Sequence, residues 1–198
     1  MRTKKVKQAK ESIVNSPLII KEPTIIKSDK PIHLEIGSGK GKFITELADI
    51  HREFYYVAME RDLNVCYRIL EKQEVLQLPN LAIIPIDAKD LLLFFEPKSV
   101  SKIYLNFSDP WPKARHHKRR LTAKSFLEIY EQILVEKGEL EVRTDHESLF
   151  TDSLEYLKES NFELIWQHNN APVREAISEY EMKKRANGPI YGFIARRK

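Results

Sequence analysis

The residues most able to do chemistry lie in one stretch, Asn106-Phe107-Ser108-Asp109-Pro110-Trp111-Pro112-Lys113. It places a carboxylate, an aromatic plate and a lysine within five positions. A basic run, Arg115-His116-His117-Lys118-Arg119-Arg120, follows almost at once. A carboxylate beside an indole suits work on a nucleobase, and clustered cations suit a phosphate backbone. Trp111 is open to two roles, a base-stacking plate or an apolar plug that stiffens the Pro-Trp-Pro turn. His116 and His117, inside a run of Lys and Arg, read as part of the grip rather than as catalysts.

The elements that must position this loop can be read from the pattern around it. Ile103-Tyr104-Leu105 leads into it as a buried strand end, in a fourth strand expected over 102–107. Upstream, strands are expected over 32–36, 55–59 and 81–86, and downstream over 139–144, 162–167 and 190–195. Between them, Phe43-Ile44-Leu47-Ala48, Val65-Ile69-Leu70, Phe126-Leu127-Tyr130-Ile133 and Leu149-Phe150-Leu154-Leu157 have helical spacing. Asp62 or Asn64 suits the N-cap of the second helix, and Gly138 suits the C-terminal stop of the third. Alternating strands and helices predict an α/β fold: a doubly wound, mostly parallel, seven-stranded Rossmann-like sheet. No helical pattern separates the last two strands, so the final strand is expected to return antiparallel.

In such a sheet, ligands sit at the carboxyl ends of the strands. Glu60, Asp87, Asp109 and Asp145 each follow a strand. Asp145 equally suits a helix cap. Gly37-x-Gly39-x-Gly41 follows the first strand, where missing side chains let a ligand approach the backbone. Glu60, at the next strand end, suits a ribose diol, and Asp87 suits an adenine amino group. The third glycine of a dinucleotide fingerprint is replaced by Lys42, and no Gly-Lys-Ser/Thr closes a P-loop. An acid-rich rim, completed by Glu35, fits a nucleoside without phosphates. S-adenosylmethionine is such a ligand, with a sulfonium and an ammonium that favour carboxylates.

These pieces together resemble the bacterial tRNA (guanine-N7)-methyltransferases of the TrmB type. The resemblance runs through Leu34-Glu35-Ile36-Gly37-Ser38-Gly39-Lys40-Gly41, Met59-Glu60-Arg61, Ile86-Asp87-Ala88, the Asn106–Lys113 stretch, Arg143-Thr144-Asp145 and Ser178-Glu179-Tyr180-Glu181. It implies a class I methyltransferase fold. It implies that Glu35, Glu60, Asp87 and Asp109 contact S-adenosylmethionine, with Gly37 and Gly39 beside them and Asp109 as the catalytic acid. Lys113, Asp145, Ser178, Glu179, Tyr180 and Glu181 would meet the guanosine or its surroundings, and Arg115 to Arg120 would hold the RNA. The chain departs from the family in having Ser108 where proline is frequent and Ser178 where threonine is.

Bulk properties agree. The 198 residues carry a net charge of +4, and the pI is about 9.0. This suits one methyltransferase domain, 31–198, behind a basic arm, 1–30, that carries Lys4, Lys5, Lys7 and Lys10. Cys66 is the only cysteine. It forms no internal disulfide and reads as a small core residue, which points to a reducing, cytoplasmic setting. No apolar run spans a membrane, and no secretory h-region follows Met1. The expected partner is tRNA, with neither membrane nor metal, acting as a monomer or homodimer. Two rivals share the motifs. One is a methyltransferase for an exocyclic amine or another RNA guanosine; Asp-Pro-Trp partly matches the Asp-Pro-Pro-aromatic signature, but Pro112 follows the aromatic instead of preceding it. The other is a non-catalytic RNA-binding module.

Overall fold

The computed structural model describes Ser16 and residues 18–198. Seven strands form one sheet in the order β3-β2-β1-β4-β5-β7-β6. They are β1 (Ile32–Ile36), β2 (Tyr55–Met59), β3 (Leu81–Ile84), β4 (Val100–Asn106), β5 (Leu134–Thr144), β6 (Phe162–His168) and β7 (Tyr191–Arg197). The pairs β1–β2, β1–β4, β2–β3 and β4–β5 are parallel. β7 inserts antiparallel between β5 and β6. The strand order reverses between β1 and β4, the point at whose carboxyl ends sheets of this kind hold their ligands.

Helices cover both faces. α1 (Lys42–Ile50) and α2 (Leu63–Leu76) lie on one side. Their Phe43, Ile44, Leu47, Cys66, Ile69 and Leu70 pack on Tyr56, Ala58, Ile83 and Tyr104 of the sheet. α3 (Lys124–Ile133) and α4 (Glu147–Lys158) lie on the other side. There Phe126, Leu127, Tyr130, Phe150 and Leu157 meet Leu34, Ile36, Val57, Ile103 and Leu105. Period-2 alternation sends neighbouring strand residues to opposite layers, and β1, covered on both faces, is buried throughout. Asp62 is the cap of α2, accepting from the Asn64 amide at 2.9 Å. Cys66 is fully buried, and burial pushes its thiol up to about 12.

Several elements differ from the sequence expectation. β3 stops at Ile84, because Pro85 has no N–H to offer the ladder. β4 stops at Asn106, where Phe107 takes a positive φ of 54° and turns the chain into the loop. Gly138 does not end a helix. α3 finishes at Ile133, β5 starts at the next residue, and the register with β4 slips between Val100 and Lys102 to absorb the extra residues around Lys137, whose φ is 60°. A seven-residue helix, α5 (Glu179–Arg185), lies in the charged segment before β7. Its mostly polar sequence gave no apolar period, and the Ser178 hydroxyl caps it by accepting from the Glu181 amide at 3.0 Å.

The packed body also begins before residue 31. Ile19 forms a parallel bridge to Ile83. Ile19 and Ile26 are buried, so this segment covers the β3 edge. Lys4, Lys5, Lys7 and Lys10 of the basic arm lie outside the described residues.

Candidate active site

The turn after β1 is the floor of the site. Gly37, Gly39 and Gly41 have φ of 77°, 54° and 77°. A Cβ on Gly37 or Gly39 would meet nothing within 4 Å, whereas one on Gly41 would stand 2.9 Å from Ile69. The first two glycines therefore face open space a ligand can enter, and the third lets α1 pack on α2. Glu60 braces this turn: Oε2 accepts from the Gly39 amide at 3.0 Å and Oε1 from the Asp62 amide at 2.9 Å. Each oxygen keeps a second lone pair for a ribose hydroxyl. Burial pushes the Glu60 carboxyl up.

Glu35, in β1, is 2% exposed. Oε1 accepts from the Asn106 amide nitrogen at 2.8 Å. Oε2 is buried with no partner among the described residues. A buried carboxylate oxygen without a donor is costly, and a cationic ligand would satisfy it. Desolvation raises the Glu35 carboxyl to about 7, against the opposing pull of Asn106, Ser38 and Arg174. The arrangement fits the ammonium-bearing, phosphate-free nucleoside expected from the sequence. Asp87 caps a 3-10 turn by accepting from the Lys89 amide at 3.2 Å, and it faces Arg61 at 3.6 Å.

The loop after β4 forms the other wall. Asp109 is exposed, and its carboxylate has no partner among the described residues. Trp111 is half-buried with a φ of 41°. The Arg119 guanidinium lies 4.9 Å over its ring, and His116 meets it edge-on at 5.7 Å. The guanidinium occupies one face of the indole, and the two contacts hold the ring against the turn, which favours its bracing role.

The basic run divides. Residues 114–119 form a 3-10 turn. Lys113, Arg115, Lys118 and Arg119 point outward, and His116 and His117 are half-buried. Arg120 is 1% exposed, contrary to its expected place in the RNA grip. Its Nε donates to the Pro110 carbonyl at 2.8 Å, Nη1 to Asp152 at 2.6 Å and Nη2 to His117 Nε2 at 2.9 Å. With its donors committed inside the protein, Arg120 ties the Asp-Pro-Trp-Pro loop to α4.

Asp145 does not cap α4. Lys184 pairs with it at 2.6 Å, and the Tyr180 hydroxyl donates to it at 3.4 Å. The Tyr180 ring lies 5.1 Å from Phe107 at the end of β4. Glu179 faces Lys40 at 3.4 Å, beside the glycine turn. Glu181 is fully buried and bridges Arg143 (3.4 Å), Arg174 (3.2 Å) and Arg185 (2.6 Å). Of the four expected substrate residues at 178–181, Tyr180 and Glu179 face outward, while Ser178 and Glu181 build and anchor the helix that presents them.

Glu141, Arg174 and Lys184 join this site without having been singled out from the sequence, and Asn106 and Arg143, which lie in the matching motifs, had been given no role of their own. The alternation of Leu140 and Val142 with Glu141 and Arg143 in β5 was the available signal, because such charges in a strand between apolar residues require buried partners.

A doubly wound sheet with a glycine turn after β1, a buried acid beneath it and a strand-end carboxylate on β2 defines an S-adenosylmethionine-dependent class I methyltransferase. Solved structures agree on the fold. The chain matches an antibiotic-related methyltransferase with a TM-score of 0.62, at 15% identity, over 89% of this chain and 96% of that one. It matches a SAM-dependent methyltransferase from Aquifex aeolicus with a TM-score of 0.61, at 12% identity, over 86% and 85%. The family described as putative methyltransferase matches residues 29–191. A tRNA (guanine-N(7)-)-methyltransferase of Lactiplantibacillus plantarum is 42% identical, over 98% of both chains. One from Macrococcus caseolyticus is 46% identical, over 78% of this chain and 75% of its own. The chain belongs to the tRNA (guanine-N(7)-)-methyltransferase family.

Proposed function

We propose that this protein methylates N7 of a guanosine in the variable loop of tRNA, with S-adenosylmethionine as donor. The observation that carries the reading is the buried Glu35 carboxylate, whose Oε2 has no partner among the described residues, just before the glycine turn. Glu35, Glu60, Asp87 and Asp109 would hold the cofactor, which supplies an electrophilic methyl group when bound.

Guanine N7 carries a free lone pair, so the base needs no deprotonation before it attacks. In the transfer the N7–carbon bond would form as the cofactor's carbon–sulfur bond breaks, leaving positive charge on the base for the protein to stabilise. The work left to the protein is alignment and charge stabilisation. Asp109, at the start of the Pro-Trp-Pro turn after β4, would face that developing charge. Asp145 would accept from the guanine N1 and N2 donors once Lys184 releases it, and Tyr180 and Glu179 would flank the base. Lys113, Arg115, Lys118 and Arg119 would bind phosphates and His116 would line their edge, with the guanosine leaving its stack to reach the pocket. The single buried cysteine suits the cytoplasm, where tRNA is found. Among the described residues no helix is long and apolar enough to cross a membrane.

The test is methyl transfer from labelled S-adenosylmethionine to unmodified tRNA, beside the same tRNA carrying 7-deazaguanosine at the variable-loop position. Label in the first alone is expected. Label in both would exclude N7 as the acceptor, and label in neither, with tRNA still bound, would leave a binding module.

A further inference from the structure

Arg174 lies in the connection between β6 and α5, on no motif, yet it touches three groups of the site at once. Nη2 donates to Asn106 Oδ1 at 2.9 Å and to Glu181 Oε2 at 3.2 Å, while Nη1 donates to Glu141 Oε1 at 2.8 Å. Its guanidinium lies 4.3 Å over the Phe43 ring, the second residue of α1. We propose that Arg174 is a positioning residue for the cofactor carboxylate: it sets which way the Asn106 amide points, thereby orients Glu35, and joins that orientation to helix α5. The proposal rests on the reading of Glu35 as a cofactor ligand.

The argument is one of donors and acceptors. A guanidinium has only donors, so Asn106 must turn its oxygen toward Arg174. The amide nitrogen then faces Glu35 Oε1, at 2.8 Å. Turning the amide over would set two acceptors against each other on one side and two donors on the other. With Arg174 present, the donor to Oε1 is fixed, and Oε2 is the oxygen left for a ligand. Without it, the wrong amide orientation loses half of its penalty, and Glu35 loses a dependable donor to its ionised form.

The link to α5 runs through the shared carboxylate. Glu181 sits beside Tyr180, which meets Phe107 and Asp145. A shift of α5 on substrate binding therefore moves the partner of the residue that orients Glu35. The network does not depend on Arg174 for charge balance. Glu181 keeps Arg185 and Arg143, and Glu141 keeps Lys102 at 3.0 Å. The charged groups facing Glu35 are Arg174 from the β6–α5 connection and Glu60 from the end of β2, the first favouring its ionised form and the second opposing it. A lysine in place of Arg174 keeps one charge contact but cannot bridge three acceptors.

The experiment is calorimetric titration of the full chain with S-adenosylhomocysteine across pH. The proteins are wild type, Arg174→Lys, Arg174→Met, Glu35→Gln and the Glu35→Gln/Arg174→Lys double variant, each checked by thermal melting. We expect Arg174→Lys to bind roughly tenfold more weakly, the scale of one lost hydrogen bond to a charged group. Its binding midpoint should also move to higher pH. Combined with Glu35→Gln it should add no further loss, because both changes act on one contact. Should Arg174→Met fail to fold, Arg174→Lys carries the test. A stability loss with an unchanged pH profile, or a loss fully additive with that of Glu35→Gln, would reduce Arg174 to a structural counter-ion and overturn the proposal. Unchanged binding by Glu35→Gln alone would instead refute the cofactor role of Glu35.

Discussion

Single residues in this site are separated by what their atoms have left to give. Asp109 is exposed, and its carboxylate has no partner among the described residues, so its removal should leave the fold intact. We expect Asp109→Ala to lose at least about a hundredfold in turnover, the scale of one lost electrostatic stabiliser. Its melting temperature and tRNA affinity should match wild type; near-normal turnover would remove Asp109 from the chemistry. Glu181 is the opposite case. Three arginines consume its oxygens inside the protein, so its substitution should be read first in stability and only then in activity.

At the scale of elements, the loop after β4 is a built structure rather than a charged tail. Arg120 holds it from below through Pro110, Asp152 and His117, and Arg119 covers Trp111 from outside. Two neighbouring arginines should therefore fail differently. Arg119→Ala should keep its melting temperature and lower the slope of log affinity against log salt by about 1, the signature of one lost phosphate contact. Arg120→Met should destabilise the protein by about 2 kcal/mol, because it leaves the Pro110 carbonyl without its buried donor and frees the loop from Asp152 and His117. Filter binding over a salt series and thermal melting distinguish the two; a matching loss of salt slope in both variants would return Arg120 to the RNA surface.

Across the whole molecule, two buried titratable groups on β1 give stability opposite dependences on pH. Desolvation lowers His33 from 6.5 to about 4. The unfolded chain then binds a proton that the folded chain does not, and stability rises as pH climbs through that window. Desolvation raises Glu35 from 4.5 to about 7. Here the folded chain holds the proton, so stability falls as pH rises from about 4.5 to about 7. Glu35→Gln should therefore be the more stable protein above pH 7 in the absence of cofactor, with its falling limb removed and the His33 limb retained. Melting curves from about pH 5 to about pH 9 measure this directly. Parallel curves for the two proteins would show that Glu35 titrates normally. If Glu35 holds the cofactor as proposed, the same ionisation should make the cofactor's stabilising effect grow with pH, because its cation would meet the carboxylate only once the proton has left.

The sheet, the glycine turn and the strand-end acids proposed to hold the cofactor were legible in the chain because they are local. A strand of apolar residues, a glycine turn and an acid at a strand end are each set by neighbours within a few positions. Glu35, Glu60 and the Asp-Pro-Trp-Pro-Lys loop needed no distant residue to be noticed. The division of labour inside the basic run and inside 178–181 was not legible. In sequence, Arg119 and Arg120 are two equal cations, and Glu179 and Glu181 are two equal acids. Burial separates them, and burial depends on Asp152, Arg143 and Arg174, which approach only when α4, β5 and the β6–α5 connection pack together. The charged segment before β7 hid its helix for a related reason. α5 is held by a serine cap and an inward salt bridge rather than by an apolar stripe. Periodicity reports burial of apolar area, whereas the charges of this site are buried by pairing, and pairs are chosen by tertiary structure.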